Sequence, residues 1–360
     1  MKTVKEVRLI ESHSNIHHHY RPHLWSPDGK KIASNCGWEG FRIWDVDSGM
    51  QLRRIEGYAN SSAWSPLGTS LAGIRENGFV EVYNGDSGER LRSWIGPTTF
   101  ASVSPAWSPD GKRLATAADK TVQIWAAASG RLVHTLKGHT ANVNVIAWAP
   151  DGKLIASGSE GDKTVRLWDA ASGKQLHSFD ADNCVRLAWS PDGQSLASGT
   201  GGDTRTWDMA TKELQVRCEG LLLGWTADSK AVMTEGGETV RWWDRQTGEL
   251  LRRKEFPLLA WPVLSPDSQF VAVPRGGALY IGDISRGKFS LTLVPLRGGQ
   301  WLAVRPDGRY RGSPGVEKEI VYIVQTDASQ ELLTPDEFAT KYGWKNDPER
   351  VRLPPFSREP

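Results

Sequence analysis

The sequence predicts an all-β chain folded as one closed ring of small four-stranded antiparallel sheets. Three observations carry this. A phrase typified by AWSPDGKRLAT recurs eight times at a spacing near 40 residues. A second phrase, typified by VRLWDAASG, follows each of the first seven copies. The chain also holds 17 tryptophans, most of them inside those phrases.

The copies of the first phrase are centred on Pro27, Pro66, Pro109, Pro150, Pro191, Ala227, Pro266 and Pro306, with spacings of 39, 43, 41, 41, 36, 39 and 40 residues. That period suits a propeller blade. The apolar runs are four to eight residues long and alternate with period two, which reads as strand, not helix. Pro-Asp-Gly supplies a fixed φ followed by a residue tolerant of positive φ, so each copy marks a hairpin. Ser-Gly marks the next. No such sheet buries a core alone. Stacking sheets around an axis does, and flat Trp side chains fill the space between them. Trp25, Trp44, Trp64, Trp107, Trp125, Trp148, Trp168, Trp189, Trp207, Trp225 and Trp243 are therefore read as core.

The expected architecture is a single β-propeller over residues 1–327. Counting favours eight blades, with strand 4–11 completing the last of them; seven blades plus a C-terminal cap is the alternative. Residues 328–360 form a tail. Within it Thr334-Pro335-Asp336-Glu337 reads as a capping box with Pro at the first helical position, and Gly343 as a stop, predicting a short helix over 335–342.

Composition excludes several function classes. Lys plus Arg is 44 against 42 for Asp plus Glu, so no overall basic balance calls for nucleic acid or an anionic membrane. No run reaches the roughly 20 apolar residues of a membrane helix. Cys36, Cys184 and Cys218 are distant and odd in number, reading as reduced thiols in a cytoplasmic protein. His17, His18 and His19 alternate in direction and do not converge on one metal without other ligands, which His13 and His23 of the same loop could supply; they read as a solvated loop, with weak metal binding as the lesser alternative. The Gly-Gly pairs lie between strands and lack the setting of a phosphate loop. No metal or cofactor is expected.

Trp44-Asp45, Trp168-Asp169, Trp207-Asp208 and Trp243-Asp244, with the spacing above, mean that the chain resembles the WD-repeat family over about residues 4–325. The unit at 136–173 is closest to the family pattern. There the resemblance implies a hydrogen-bonded structural network of His139, Ser157, Asp162 and Trp168, present once. Closing segments of large bacterial WD-repeat proteins are similar to the eighth unit and tail, which implies a bacterial source. The resemblance also implies a non-catalytic scaffold binding proteins or peptides on the loop face, rather than an enzyme; an enzyme or small-ligand propeller using the central channel is the alternative. On that face Trp38, Tyr58, Arg75, Phe100 and Arg275 are the candidate anchors, since aromatic and Arg side chains carry most interface energy. Asn142 and Asp182 are the candidate polar contacts.

Overall fold

The computed structural model describes residues 24–351 apart from 36–39, 57–60, 76, 97–102, 183, 200–201, 257–261, 276–277, 297–299, 321 and 326–329. The candidate closing strand 4–11 lies outside the described residues.

Among the described residues seven blade sheets are present, covering residues 24–55, 61–95, 106–137, 145–180, 186–219, 221–255 and 263–295. In each, four strands pair antiparallel in chain order. The first strands touch one another in sequence around the molecule, and that of blade 7 (Val263–Leu264) touches that of blade 1 (Leu24–Trp25), so the ring is closed. A local rule builds blades 1, 3, 5, 6 and 7, while blade 2 lacks its carboxylate (Leu67) and blade 4 its hydroxyl (Ala149). The Ser or Thr before the Pro-Asp turn donates its hydroxyl to the carboxylate two residues on, as Ser108 does to Asp110 at 2.6 Å. The same oxygen accepts the amide of Arg113 at 2.9 Å, closing the hairpin. Gly111, at φ 68°, takes the left-handed position that the turn requires. Each third strand then shifts register at its Trp or equivalent, for example between Leu167 and Trp168. Such a bulge adds twist, which fans the outer strand away from the inner one.

The tryptophans of the first strands hold neighbouring blades together. Each indole donates to the carbonyl before the matching residue of the preceding blade: Trp64 to Leu24 at 3.1 Å, Trp107 to Ala63 at 3.1 Å, Trp148 to Ala106 at 2.9 Å. Trp189 reaches Ala147 at 3.2 Å and Trp225 reaches Ala188 at 3.0 Å. Trp25 completes the circle on Val263 at 3.2 Å, 238 residues away. Blade 7 carries Leu264 at that position. A second set of bonds joins the outer strands. Arg92 donates to Ala128 O at 3.1 Å, and His134 lies 2.8 Å from Ala171 O.

The eighth copy of the turn phrase does not start an eighth blade, which corrects the expected count. Trp301–Val304 pairs antiparallel with Lys288–Pro295, the outer strand of blade 7, and Tyr310–Gly312 pairs outside that, making a six-stranded sheet. The eighth unit lacks the second phrase, so it has no third strand with which to build a blade. Tyr322–Gln325 pairs instead with Gln330–Leu333 as a separate hairpin. Helix α1, Pro335–Tyr342, follows, capped reciprocally by Thr334 and Glu337. Phe338 packs with Leu302, Val316 and Ile320.

This extension covers the seam between blades 7 and 1. Trp301 meets Trp44 edge-on with ring centroids 6.0 Å apart. Ala303 and Val351 join Trp25, Trp44, Leu291 and Leu293 in one buried cluster. Arg42, only 1% exposed, donates to Leu296 O at 2.6 Å and Gln300 O at 2.5 Å. A buried guanidinium is tolerable when acceptors satisfy it, and here the extension supplies them.

Candidate functional site

The loops that enter each first strand and those joining second to third strands emerge on one face of the ring. The structure places four of the candidate contact residues there. Asn142 is exposed, in the loop entering blade 4. Asp182 is exposed in the loop entering blade 5 and pairs with Arg205 at 2.5 Å. Arg75, at the end of the second strand of blade 2, turns inward. Its Nε bonds the Glu81 carboxylate and its Nη2 donates to Tyr83 Oη at 3.2 Å. Arg275 ends the second strand of blade 7, Phe270–Arg275, with its side chain outside the described residues. Trp38, Tyr58 and Phe100 also lie outside them, as do His17, His18 and His19. The face therefore gathers Arg75, Asn142, Asp182 and the backbone of Arg275, but commits Arg75 to its own blade.

In blade 4 the four network residues meet. Trp168 Nε1 donates to Ser157 Oγ at 2.8 Å, and His139 Nε2 lies 2.7 Å from the same oxygen. His139 Nδ1 lies 2.8 Å from Asp162 Oδ2. The consistent proton arrangement has Ser157 donating to Nε2 and Nδ1–H donating to the carboxylate. Burial lowers the His139 pKa below its ordinary value, against the pull of Asp162. Burial also opposes ionisation of Asp162. That is outweighed by donors from the Thr164 hydroxyl, the Thr140 amide and His139, which hold the carboxyl at about 2. The His–Asp pair is thus a neutral imidazole on a fixed carboxylate. Its side chains are 1% and 3% exposed, which leaves no opening for a substrate.

Half of this network recurs. Trp44 donates to Ser34 at 2.8 Å, Trp125 to Thr116 at 2.9 Å, and Trp243 to Thr234 at 2.8 Å. Blade 2 uses a different solution. Tyr83 replaces the Trp and bonds the buried Glu81, which also holds Arg75 and, at 3.0 Å, Arg90. Sequence reasoning missed this set, because VEVYN reads as a strand with an outward Glu.

It also missed Arg186 and Glu235. Arg186 opens the first strand of blade 5, donates to Leu222 O at 2.9 Å, and lies 3.8 Å from the Glu235 carboxylate. Burial pushes Glu235 up to about 7, with Arg186 opposing. Cys184 and Cys218 are buried free thiols, each pushed up to about 12 by burial, so neither is an activated nucleophile. Among the described residues no group of three or more His, Cys, Asp or Glu could hold a metal ion. No described helix is long and apolar enough to cross a membrane.

Fold and geometry together define the class: a seven-bladed β-propeller of four-stranded antiparallel blades. Residues 88–126, 130–169 and 173–208 match the WD domain, G-beta repeat family (WD40), so that stretch of the ring is similar to WD40 repeats. Each match runs from the outer hairpin of one blade into the third strand of the next, so sequence repeat and structural blade are offset. The chain is 30% identical over 172 residues to the transcriptional corepressor LEUNIG_HOMOLOG of Arabidopsis thaliana, covering 44% of this chain and 20% of that protein. It is 30% identical over 153 residues to cell division cycle 20.1, cofactor of APC complex, of the same plant, covering 38% and 32%. It is 40% identical over 55 residues to the human U5 small nuclear ribonucleoprotein 40 kDa protein, 15% of each. The chain thus spans a third or less of the length of these relatives. A solved structure, from the crystal structure of the mitotic checkpoint complex, superposes with a TM-score of 0.64 at 22% identity, over 76% of this chain and 89% of that one. That likeness concerns the fold. These relatives are plant and human, so the bacterial source expected from the tail gains no support from them.

Proposed function

We propose that this protein is a non-catalytic scaffold that holds peptides or protein partners on the loop face of the propeller, in a cytoplasmic setting. The observation that carries the reading is the division of labour within the ring. The polar groups best suited to chemistry, His139 with Asp162 and Arg75 with Glu81, are spent inside blades. The loop face keeps exposed contacts such as Asn142 and Asp182 on a rigid base. Rigid loops lose little ordering entropy on association, which favours binding. The names of the relatives describe a corepressor, a cofactor of a complex and a ribonucleoprotein component, all of which work with other macromolecules. The buried free thiols Cys184 and Cys218 suit a reducing compartment.

The test is capture of partners from the source cell by three forms of the chain. One is wild type, one carries Trp38→Ala with Asn142→Ala, and one carries Leu67→Ala on the opposite face, where Leu67 is 80% exposed. Partners lost from the double variant and kept by Leu67→Ala are the expected result. Partners kept by the double variant but lost with Leu67→Ala would move the binding face to the other side.

A further inference from the structure

The residue two before the Trp position of each third strand forms a series around the ring, and one member stands apart. In blade 1 it is Arg42, satisfied by carbonyls of the C-terminal extension. In blade 4 it is Arg166, bonded to Gln175 at 2.8 Å and Thr164 at 3.2 Å. In blade 5 it is Arg205, which has Arg217 directly opposite on the outer strand. That like-charged pair is bridged by Asp203, 3.6 Å from Arg205 and 2.6 Å from Arg217, and Asp182 adds a second carboxylate.

Blade 6 repeats the arginine pair without the bridge. Arg241 faces Arg253 across the strands, and Thr239 occupies the place of Asp203. Stacked like charges cost stability in a sheet unless something neutralises them. The nearest carboxylate to Arg241 is Glu219, at 3.6 Å and itself 73% exposed. Arg241 Nη1 is buried and finds no acceptor among the described residues. The neighbours deepen the imbalance. Arg252 and Lys254 flank Arg253 on the exposed outer strand Leu250–Glu255; Arg252 stacks on Trp242 at 4.9 Å. Glu255 is the only acid on that strand. Leu251, two residues before Arg253, is 57% exposed.

We propose that the outer groove of blade 6 is a docking site for an extended acidic segment of a partner protein. A carboxylate of that segment sits between Arg241 and Arg253, as Asp203 sits between the pair in blade 5. An apolar side chain of the segment covers Leu251, and its backbone adds to the free edge of strand Leu250–Glu255. The molecule already contains both halves of this arrangement. Asp203 shows that a carboxylate fits between such arginines, and strand Trp301–Val304 shows that an outer edge accepts a fifth strand. A carboxylate bound by guanidinium makes charge-assisted hydrogen bonds, the stronger kind. The apolar neighbour favours a protein segment over a nucleic acid backbone.

The probe is a fluorescein-labelled peptide of alternating Glu and Leu, roughly ten residues long, the upper range of a single strand. Its binding to the full chain is read by anisotropy at low salt. Wild type is expected to bind, and Arg253→Glu to weaken binding at least about tenfold. Thr239→Asp, which installs the missing bridge, is expected to weaken binding while raising the melting temperature, so loss of fold cannot mimic it. Asn142→Ala, on the loop face, is expected to leave peptide binding unchanged, which separates this site from the face proposed above. No binding by wild type, or binding as tight as wild type by Arg253→Glu or by Thr239→Asp, would overturn the proposal. So would tighter, Arg253-dependent binding of an oligothymidylate of equal charge or of phosphatidylserine vesicles.

Discussion

At the scale of single residues, stability depends on groups whose protonation the fold has altered, and two of them work in opposite directions with pH. His139 has a folded pKa below its ordinary 6.5. The unfolded chain therefore binds more protons near that value, so the stability that His139 contributes is present above pH 6.5 and is lost as pH falls. The contribution of Asp162 is present above pH 3.8 and is lost as pH falls from there through its folded value of about 2. Replacing His139 by Ala strands Ser157 and Asp162 and is expected to cost about 2–3 kcal/mol at neutral pH. Urea midpoints across about pH 5–8 check this. The gap between wild type and variant should narrow on acidification, and a constant gap would contradict the reading. Glu235 has the reverse sign. Its carboxyl rises from 4.5 to about 7, so the folded state holds the extra proton, and stability falls as pH rises through that window. Glu235→Gln should remove this slope, gaining on wild type by up to about 3 kcal/mol once Glu235 is fully ionised. Parallel pH profiles for the two would show that Arg186 holds Glu235 ionised throughout.

At the scale of elements, the blades were legible because their instructions are local. Ser108, Asp110 and Gly111 form a turn from bonds spanning five residues, and any reader of turn chemistry finds it. His139, Ser157, Asp162 and Trp168 were legible because blade 4 keeps every member of a known pattern. The Glu81 network was not, since its partners Arg75 and Arg90 come from different strands and only the paired sheet brings them together. Arg42 was hidden for a stronger reason. Its acceptors lie 254 and 258 residues away in the extension, and no local pattern announces a buried Arg. The inner indole bonds are the repeated device that joins element to element. Trp148→Phe deletes the bond to Ala106 O while keeping an aromatic ring, and is expected to cost about 1–3 kcal/mol. Amide exchange should quicken first in the inner strands of blades 3 and 4, Ala106–Trp107 and Val145–Trp148. Uniform quickening over all blades would instead mean that the ring opens as one unit.

At the scale of the whole molecule, the count of blades could not be read from the turn phrases alone. Eight copies are present, but a blade needs both phrases, and only seven units have both. The eighth phrase was reused as an outer flank to blade 7, where Trp301 and Ala303 press against blade 1. Closure thus joins Trp25 to Val263 on the inside and the C-terminal extension to Trp44 and Arg42 on the outside. Gly49, at the outer turn of blade 1, is the sharpest reporter. A Cβ placed there would lie 3.0 Å from Ala303 Cβ. An eighth blade would carry Ala303 on its innermost strand, far from an outer turn. The decisive measurement is oxidation of a Gly49→Cys, Ala303→Cys variant, with the linked peptides read by mass spectrometry. A disulfide needs Cβ atoms about 3.5–4.5 Å apart, within a small adjustment of the observed approach. Rapid, near-complete bond formation in the folded protein is the result expected of a seven-bladed ring sealed by its C-terminal extension. Two free thiols in a folded, monomeric chain would contradict it.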